Sequence, residues 1–443
     1  MKEIPAYIDL PSPLQNCIKY VWIVFCQHYD LKPTFNTKRE GLKISLSEDA
    51  DLQVSRKFSS IIRNKRFKHK NVFPNQPLLL CENGKPDYLG TCFYLLNYLQ
   101  EYNDPDLVTD EYGRFPFKAS YQAKFENVES DLVSDYFRKI AESISAGFIK
   151  DRKTASRVFL SHDVDTITSS LLHEGKAALV QKDFPLVMQV ILKHILEGPS
   201  YLNQMDRIMD IHDKQGFKST FFWLVERGRR KSPYTNKPVP HSDYRIQKKR
   251  IIKKQYKILR RGFENGLHKS VMKKPFNEEL DRIDLPVIGN RNHYLFVRLP
   301  HHFNAVEKSD ILLDFSLGFG RMYGHRNSYG RPIIPFNMSK YKAYSFLEVP
   351  LQIMDTTFKF YHKLPAKKAE KSIIDFLENH RYNSLISILW HNDMFSPIKN
   401  PGWLRLYKTI LDYLRQNKIR SITQKELLEE REKQLTSFRS NFL

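Results

Sequence analysis

Cysteine is scarce in this chain of 443 residues: there are four, Cys17, Cys26, Cys81 and Cys92, all in the first quarter. None forms a C-x-x-C pair, so neither a zinc ribbon nor a disulfide scaffold is indicated, and reduced thiols of a cytosolic protein are the plain reading. Long hydrophobic runs are missing too. The start, Met1 to Leu10, lacks the basic region, apolar run and small-residue cleavage site of a signal peptide. The most apolar segment nearby, Tyr20 to Cys26, falls far short of the roughly 20 residues that span a bilayer. A soluble, cytoplasmic protein with no transmembrane segment is expected. Repeats of solenoid length are absent, as are helix-turn-helix, zinc-finger and RNA-recognition signatures.

Acidic residues are in deficit, with 49 Asp and Glu against 71 Lys and Arg, a net charge of +22. Such an excess favours anionic partners: nucleic acid, an anionic membrane surface or a phosphate-bearing substrate. Without a nucleic-acid motif, charge alone does not make nucleic acid the expected partner. The densest basic cluster runs from Arg245 to Arg261. Ile252, Tyr256, Leu259 and Phe263 fall at i, i+4, i+7 and i+11 there, one face of a helix. That pattern reads as a packed helix with a solvated outer face, peripheral contact with an anionic membrane being the alternative.

Hydrophobic residues at 41% and aromatics at 13% suffice for the cores of two or three domains. Residues 1–150 read as an N-terminal α+β accessory domain. It has strand-like runs at Gly41–Leu46 and Pro77–Cys81, helices at Tyr88–Tyr102 and Val128–Ile144, and a turn in Asp110–Phe115. Over 151–430 strand-like runs alternate with helical stretches. The strands begin with Val158–Ser161, Ser219–Leu224 and Gly266–His268. They continue with His293–Arg298, Ile311–Ser316, Phe346–Pro350 and Leu385–Trp390. Helices fit between them at Phe184–Leu196 and Ala366–His380. This alternation predicts an α/β domain with a mainly parallel sheet, better closed as a barrel than left open. Residues 431–443 read as a charged C-terminal tail.

Polar groups gather at the ends of the predicted strands: His162, Asp163 and Asp165 after the first, then His268, then Arg291 and His293, then His391, Asn392 and Asp393. In a parallel barrel the carboxyl ends share one rim, so these residues would meet in one cleft. One carboxylate and two imidazoles leave a position on a divalent ion open for water. A second carboxylate can take a proton and a separate histidine can give one. The parts point to metal-assisted hydrolysis. Taken singly, each has a plainer reading: His162 and His293 as packed, hydrogen-bonded histidines, and Trp390–Asp393 as a polar turn.

Ser161-His162-Asp163-Val164-Asp165 resembles the first motif, T-F-D-D, of polysaccharide deacetylases, the NodB-like or family 4 carbohydrate esterases. Leu389-Trp390-His391 resembles their last motif, L-x-H. A bacterial subgroup found near envelope-glycan gene clusters is more similar still. Its T-H-D-V-D start is followed by segments like Thr220–Phe222, Gly266–His268, Arg291–Leu295, Pro350–Asp355 and Trp390–Asn392 here. Its accessory domain carries a stretch like Asp110–Phe115.

The resemblance implies a distorted (β/α)7 barrel. It implies Asp163 as the general base, His391 as the catalytic acid, Arg291 orienting the base, and Asp165 and His268 as metal ligands. The family's H-x-x-x-H would place a second histidine where Met272 stands, a poor ligand for a borderline ion. His293 is the candidate third ligand, with His162 and His325 in reserve. His162, Tyr294, His325, Arg326, Trp390 and Asn392 are candidates for substrate contact. Zinc is the expected ion; cobalt, nickel or manganese would also suit. The implied activity is removal of N-acetyl groups from a sugar of an envelope polysaccharide, or of its nucleotide- or lipid-linked, phosphate-bearing precursor. A small-acyl esterase uses the same parts. The alternative from another class is a non-catalytic glycan- or polyanion-binding protein on a degenerate barrel, for which Met272 is the best support.

Overall fold

A computed structural model describes residues 2–38, 40–144, 149, 153–168, 185, 188 and 201–442. Apart from residues 185 and 188, the helix expected at Phe184–Leu196 lies outside the described residues. The N-terminal unit opens with strand β1 (Glu3–Asp9), helix α1 (Leu14–His28) and strands β2 (Lys32–Phe35), β3 (Leu42–Ser45) and β4 (Leu52–Gln53). The four strands form one parallel sheet in the order β2-β1-β3-β4. The apolar run in α1 is buried from Tyr20 through Cys26, with no bare face. It packs against α2 (Tyr88–Leu96), capped by Asp87, and α2 packs against α3 (Leu132–Ser143), capped by Asp131. No described helix is long and apolar enough to cross a membrane.

The second part is built on strands β5 (Arg157–Val164), β6 (Ser219–Leu224), β7 (Glu264–Lys269), β8 (Gly289–Asn292), β9 (Leu313–Asp314), β10 (Leu347–Glu348), β11 (Ile353–Met354), β12 (Leu385–Leu389) and β13 (Arg420–Ser421). All pair in parallel, in the order β10-β9-β8-β7-β6-β5-β12-β11, with β13 added beside β5. The sheet curls into the distorted (β/α) barrel expected from the alternation, and among the described residues its edge strands β10 and β11 do not pair with each other. Parallel pairing puts every carboxyl end on one rim. His268 lies opposite Arg291 and Ser161 opposite Leu389, so Asp163 and His391 each follow by two residues at the same level.

Two local expectations change. The strand expected at His293–Arg298 ends earlier, at Asn292, and a 3-10 turn follows at His293–Leu295. Tyr294 and Leu295 both hold positive φ, 60° and 53°, which a β ladder does not accommodate. In helix α4 (Lys249–Arg260) the buried residues include Ile251, Gln255 and Ile258, one position from the apolar face read off the sequence. Tyr256 and Leu259 are therefore exposed. Lys254 is buried instead because Asp206 pairs with it at 2.7 Å.

One hydrophobic cluster runs through both parts. Helix α5 (Gln424–Phe442) carries the chain back to the N-terminal unit, with Leu435 and Phe438 buried and Phe438 stacked on Tyr20 at 5.4 Å. Residues 431–442 are thus the second half of a docked helix. A fully buried ion pair also joins the parts: Glu101 takes Nε and Nη2 of Arg326, on separate oxygens. Such a pair fixes geometry more than it adds stability, since desolvation offsets much of the attraction.

Candidate active site

Strand alternation orients the first cluster. On β5 successive side chains face opposite sides, so Asp163 points to the rim cavity and His162 away from it. Asp163 Oδ1 accepts from Arg291 Nη1 at 3.0 Å, and the same nitrogen donates to Ser161 Oγ at 2.8 Å. Arg291 is fully buried, resting on the Phe222 ring at 4.6 Å, and its Nε donates to the Phe315 carbonyl at 3.2 Å. One oxygen of Asp163 is thereby held and the other, Oδ2, is left 3.6 Å from His268 Nε2.

The two histidines at the next strand ends are fixed by carbonyl oxygens. His268 Nδ1 lies 2.8 Å from the Arg291 carbonyl and His293 Nε2 lies 3.1 Å from the Pro240 carbonyl. A carbonyl only accepts, so each of these nitrogens carries a proton. The neutral rings then turn bare lone pairs toward each other, His268 Nε2 and His293 Nδ1, 3.0 Å apart. Asp165 Oδ1 lies 3.3 Å from the first and 3.6 Å from the second. That oxygen is buried and has no hydrogen-bond partner among the described residues. Three acceptors converging without a donor demand a positive charge. A proton can supply part of it: burial works against charging His268, but Asp163 and Asp165 draw its pKa up. Burial pushes His293 down to about 4 despite Asp165, so its ring stays neutral. Asp165, His268 and His293 form a group of suitable donors, all within 4.8 Å of one another. Carbonyl-oriented imidazoles beside a carboxylate suit a divalent cation with open positions.

His391 closes the other side. Its Nδ1 donates to Asp355 Oδ1 at 2.7 Å and its backbone N–H to Asp355 Oδ2 at 2.6 Å. Burial opposes its charge, but the Asp355 carboxylate lifts its pKa to about 10. His391 is therefore an imidazolium at neutral pH, with Nε2 3.8 Å from Asp165 Oδ2. Asp355 was not identified as a site residue in the sequence. It follows the short strand β11, which carries the same signal as the other strand ends, an apolar pair followed by a carboxylate.

The cavity over these groups measures about 360 Å³. Tyr294, Tyr361, Met354 and Leu389 line its walls, and the N-terminal unit adds Tyr112 and Arg114. Arg114 pairs with Asp110 at 2.8 Å and donates through Nη1 to the Tyr294 carbonyl at 3.0 Å, pinning the left-handed turn that follows His293. Tyr112 stacks on Tyr294 at 5.0 Å. Gly113, at φ 83°, lets the loop pass: a Cβ there would come within 3.1 Å of Thr235 and 3.3 Å of Phe296.

The structure brings together Asp163, Asp165, His268, Arg291, His293 and His391, with Tyr294 beside them. It sets the other proposed substrate contacts elsewhere. His162 is buried among His212, Phe221, Phe395 and Tyr407, bonds the Trp390 carbonyl at 2.8 Å, and is pushed down to about 4 by burial. Trp390 is buried against Trp403 and Tyr407. His325 is buried beside Phe376 and His380, and Arg326 is consumed by Glu101. Asn392 holds the Thr166 carbonyl at 2.8 Å, just behind the cavity rim. Met272 lines a neighbouring groove and does not reach the cluster. If His293 and not His162 is the third ligand, His293→Ala lowers zinc affinity about tenfold or more, and His162→Ala leaves it unchanged. A competition titration with a chromogenic chelator reads both.

Residues 13–149 match a family of unknown function (DUF7033). No curated protein matches the chain. Solved structures similar to it include a protein assigned as a polysaccharide deacetylase from Mycobacterium smegmatis, at 14% identity over 64% of this chain and 93% of that one, with a TM-score of 0.39. They also include a CE4 family pseudoenzyme from Bacillus anthracis, at 10% identity over 62% of this chain and 66% of that one, with a TM-score of 0.32. A mutant of that pseudoenzyme with restored enzymatic activity matches with a TM-score of 0.28, at 10% identity over 62% of this chain and 69% of that one. Likeness at this level says nothing about activity.

Proposed function

We propose that the chain is a metal-dependent hydrolase that removes N-acetyl groups from a sugar, within an envelope polysaccharide or its nucleotide- or lipid-linked precursor. The observation that carries this reading is the convergence of three donor-less acceptors, on Asp165, His268 and His293, between a carboxylate and an imidazolium. A divalent cation bound there, zinc first among the candidates, would polarise a carbonyl and make water more acidic.

The chain's own groups supply the rest. Arg291 holds Oδ1 of Asp163 and so aims Oδ2 at the cavity, where it takes the proton of the attacking water. The water oxygen bonds to the acetamide carbon and the carbon–nitrogen bond breaks. His391 Nε2 gives its proton to the departing amine, and Asp355 steadies the charged ring before that transfer. Acetate and the free amino sugar are the products. Tyr112, Tyr294 and Tyr361 line the cavity and would give a pyranose aromatic contacts.

The test is acetate release from N-acetylglucosamine oligomers and from UDP-N-acetylglucosamine by the zinc-loaded full chain. Time-dependent acetate that stops on chelation supports the reading. Zinc bound in full with no acetate from either substrate class contradicts it.

A further inference from the structure

A second cavity, of about 1300 Å³, lies on the other side of the wall that ends the active site. Within the segment His293–Leu299, His293, Tyr294 and Leu295 line the smaller cavity, and Phe296, Arg298 and Leu299 line the larger. Arg298 is thus five residues from a candidate ligand, at most about 18 Å along the backbone. The same adjacency recurs on β7, where His268 faces one cavity and Lys269 the other.

The larger cavity is cationic once its internal pairs are cancelled. Glu101, one of its two carboxylates, is consumed by Arg326, and Asp104, the other, lies 3.4 Å from Lys68, which it shares with Asp106. Lys269 is taken by Glu279, and Lys274 by Glu226 and Glu278. Arg298, Lys273 and Lys308 remain, and among the described residues none of them has a hydrogen bond or ion pair to a carboxylate. Lys273 stands 5.2 Å above the ring of Tyr234, which itself packs on Phe296 at 4.2 Å. Arg298 is half-buried, so its guanidinium has lost part of its hydration; Glu101 and Asp110 return part of that by their charge, but both carboxylates are paired with other arginines and neither contacts it. Burial accordingly pulls its pKa down. Leaving a guanidinium in that position costs free energy unless an anion completes it. A planar five-donor fork suits the oxygens of a phosphate in two-point contact, with flanking ammonium groups adding charge.

We infer that this groove binds a phosphate or diphosphate group, with Arg298 as its bidentate anchor and Lys273 and Lys308 beside it, and that the group belongs to the activated or carrier-linked end of the sugar substrate. The anion site stands on the groove alone. Its assignment to the substrate rests on the hydrolase reading.

The experiment is calorimetric titration of the full chain with N-acetylglucosamine 1-phosphate and, separately, with inorganic phosphate. Saturable 1:1 binding of the sugar phosphate is expected. Arg298→Gln weakens it about tenfold or more, and Arg298→Lys falls between because an ammonium keeps the charge but loses the two-point contact. Lys253→Gln, which removes the same charge from the exposed face of α4, leaves it unchanged. Inorganic phosphate binding persists in Asp165→Ala, which separates the groove from any metal and from hydrolysis. Thermal unfolding of each variant shows that the fold is kept. Inorganic phosphate binding about tenfold more weakly than the sugar phosphate supports the substrate's own phosphate as the occupant. Equal affinity overturns that assignment and makes the occupant a free phosphate. Absence of saturable binding, or an equal loss in Arg298→Gln and Lys253→Gln, overturns the site itself.

Discussion

Asp163→Asn lowers the rate of acetate release roughly a thousandfold while leaving zinc affinity within about twofold, the range expected for loss of a general base. The substitution keeps the shape of the side chain and leaves an oxygen for Arg291 Nη1, now 3.0 Å from Oδ1. It removes a cavity-lining carboxylate that is not among the three convergent donors; among the described residues the other, Asp393, is paired with Lys399 at 2.7 Å. Stability also falls, because Arg291 is fully buried and Asp163 is its ion-pair partner. Turnover therefore has to be compared at a temperature where circular dichroism shows both proteins folded. A variant that keeps near-wild-type turnover removes Asp163 from the base role and leaves it as the counter-charge of Arg291. A variant that loses zinc makes it a ligand.

Asp355→Asn acts on the other proton. His391 titrates at about 10 because the carboxylate outweighs the effect of burial. The protonated acid is therefore present throughout neutral pH, and activity falls only as pH rises through that value. With asparagine the largest attraction is gone, burial lowers the pKa, and only the more distant Asp165 and Asp163 still raise it. The basic limb of the kcat profile then moves down by about three pH units, and turnover at pH 8 falls about tenfold. The ratio of wild-type to variant activity grows with pH, which a merely structural loss does not produce. A pH profile of kcat from pH 5 to 10 reads this. A uniform loss at every pH contradicts the assignment of His391 as the acid held charged by Asp355.

Much of the site was readable from strand ends. An apolar run that closes on His or Asp puts that side chain on the rim of a parallel barrel, and Asp163, Asp165, His268 and His391 all follow that rule. The period of two in the same stretch separates His162 from Asp163 and Asp165, since alternate residues face opposite sides of the sheet. What could not be read needed partners distant in sequence. Arg326 looks available until Glu101, 225 residues upstream, is seen to hold it. The turn after His293 looks like a strand until Arg114, 180 residues upstream, is seen to pin it. Tyr112 and Arg114 give no sign in sequence that their loop reaches the cavity. Asp355 lies in the segment Pro350–Asp355 that the resemblance takes in, but it escapes the strand-end rule because the strand before it is two residues long. In the basic helix, apolar residues occupy both 251 and 252, 258 and 259, so periodicity alone fits two faces one position apart.

The central claim is that Asp165, His268 and His293 together hold a divalent cation. Elemental analysis of the purified full chain, wild type beside Asp165→Ala, tests it most directly. The expected result is about one equivalent of zinc or a similar ion in the wild type and almost none in the variant, since one lost ligand leaves two imidazoles. A wild-type chain that carries no metal, and takes up none when zinc, cobalt or nickel is added, contradicts the account.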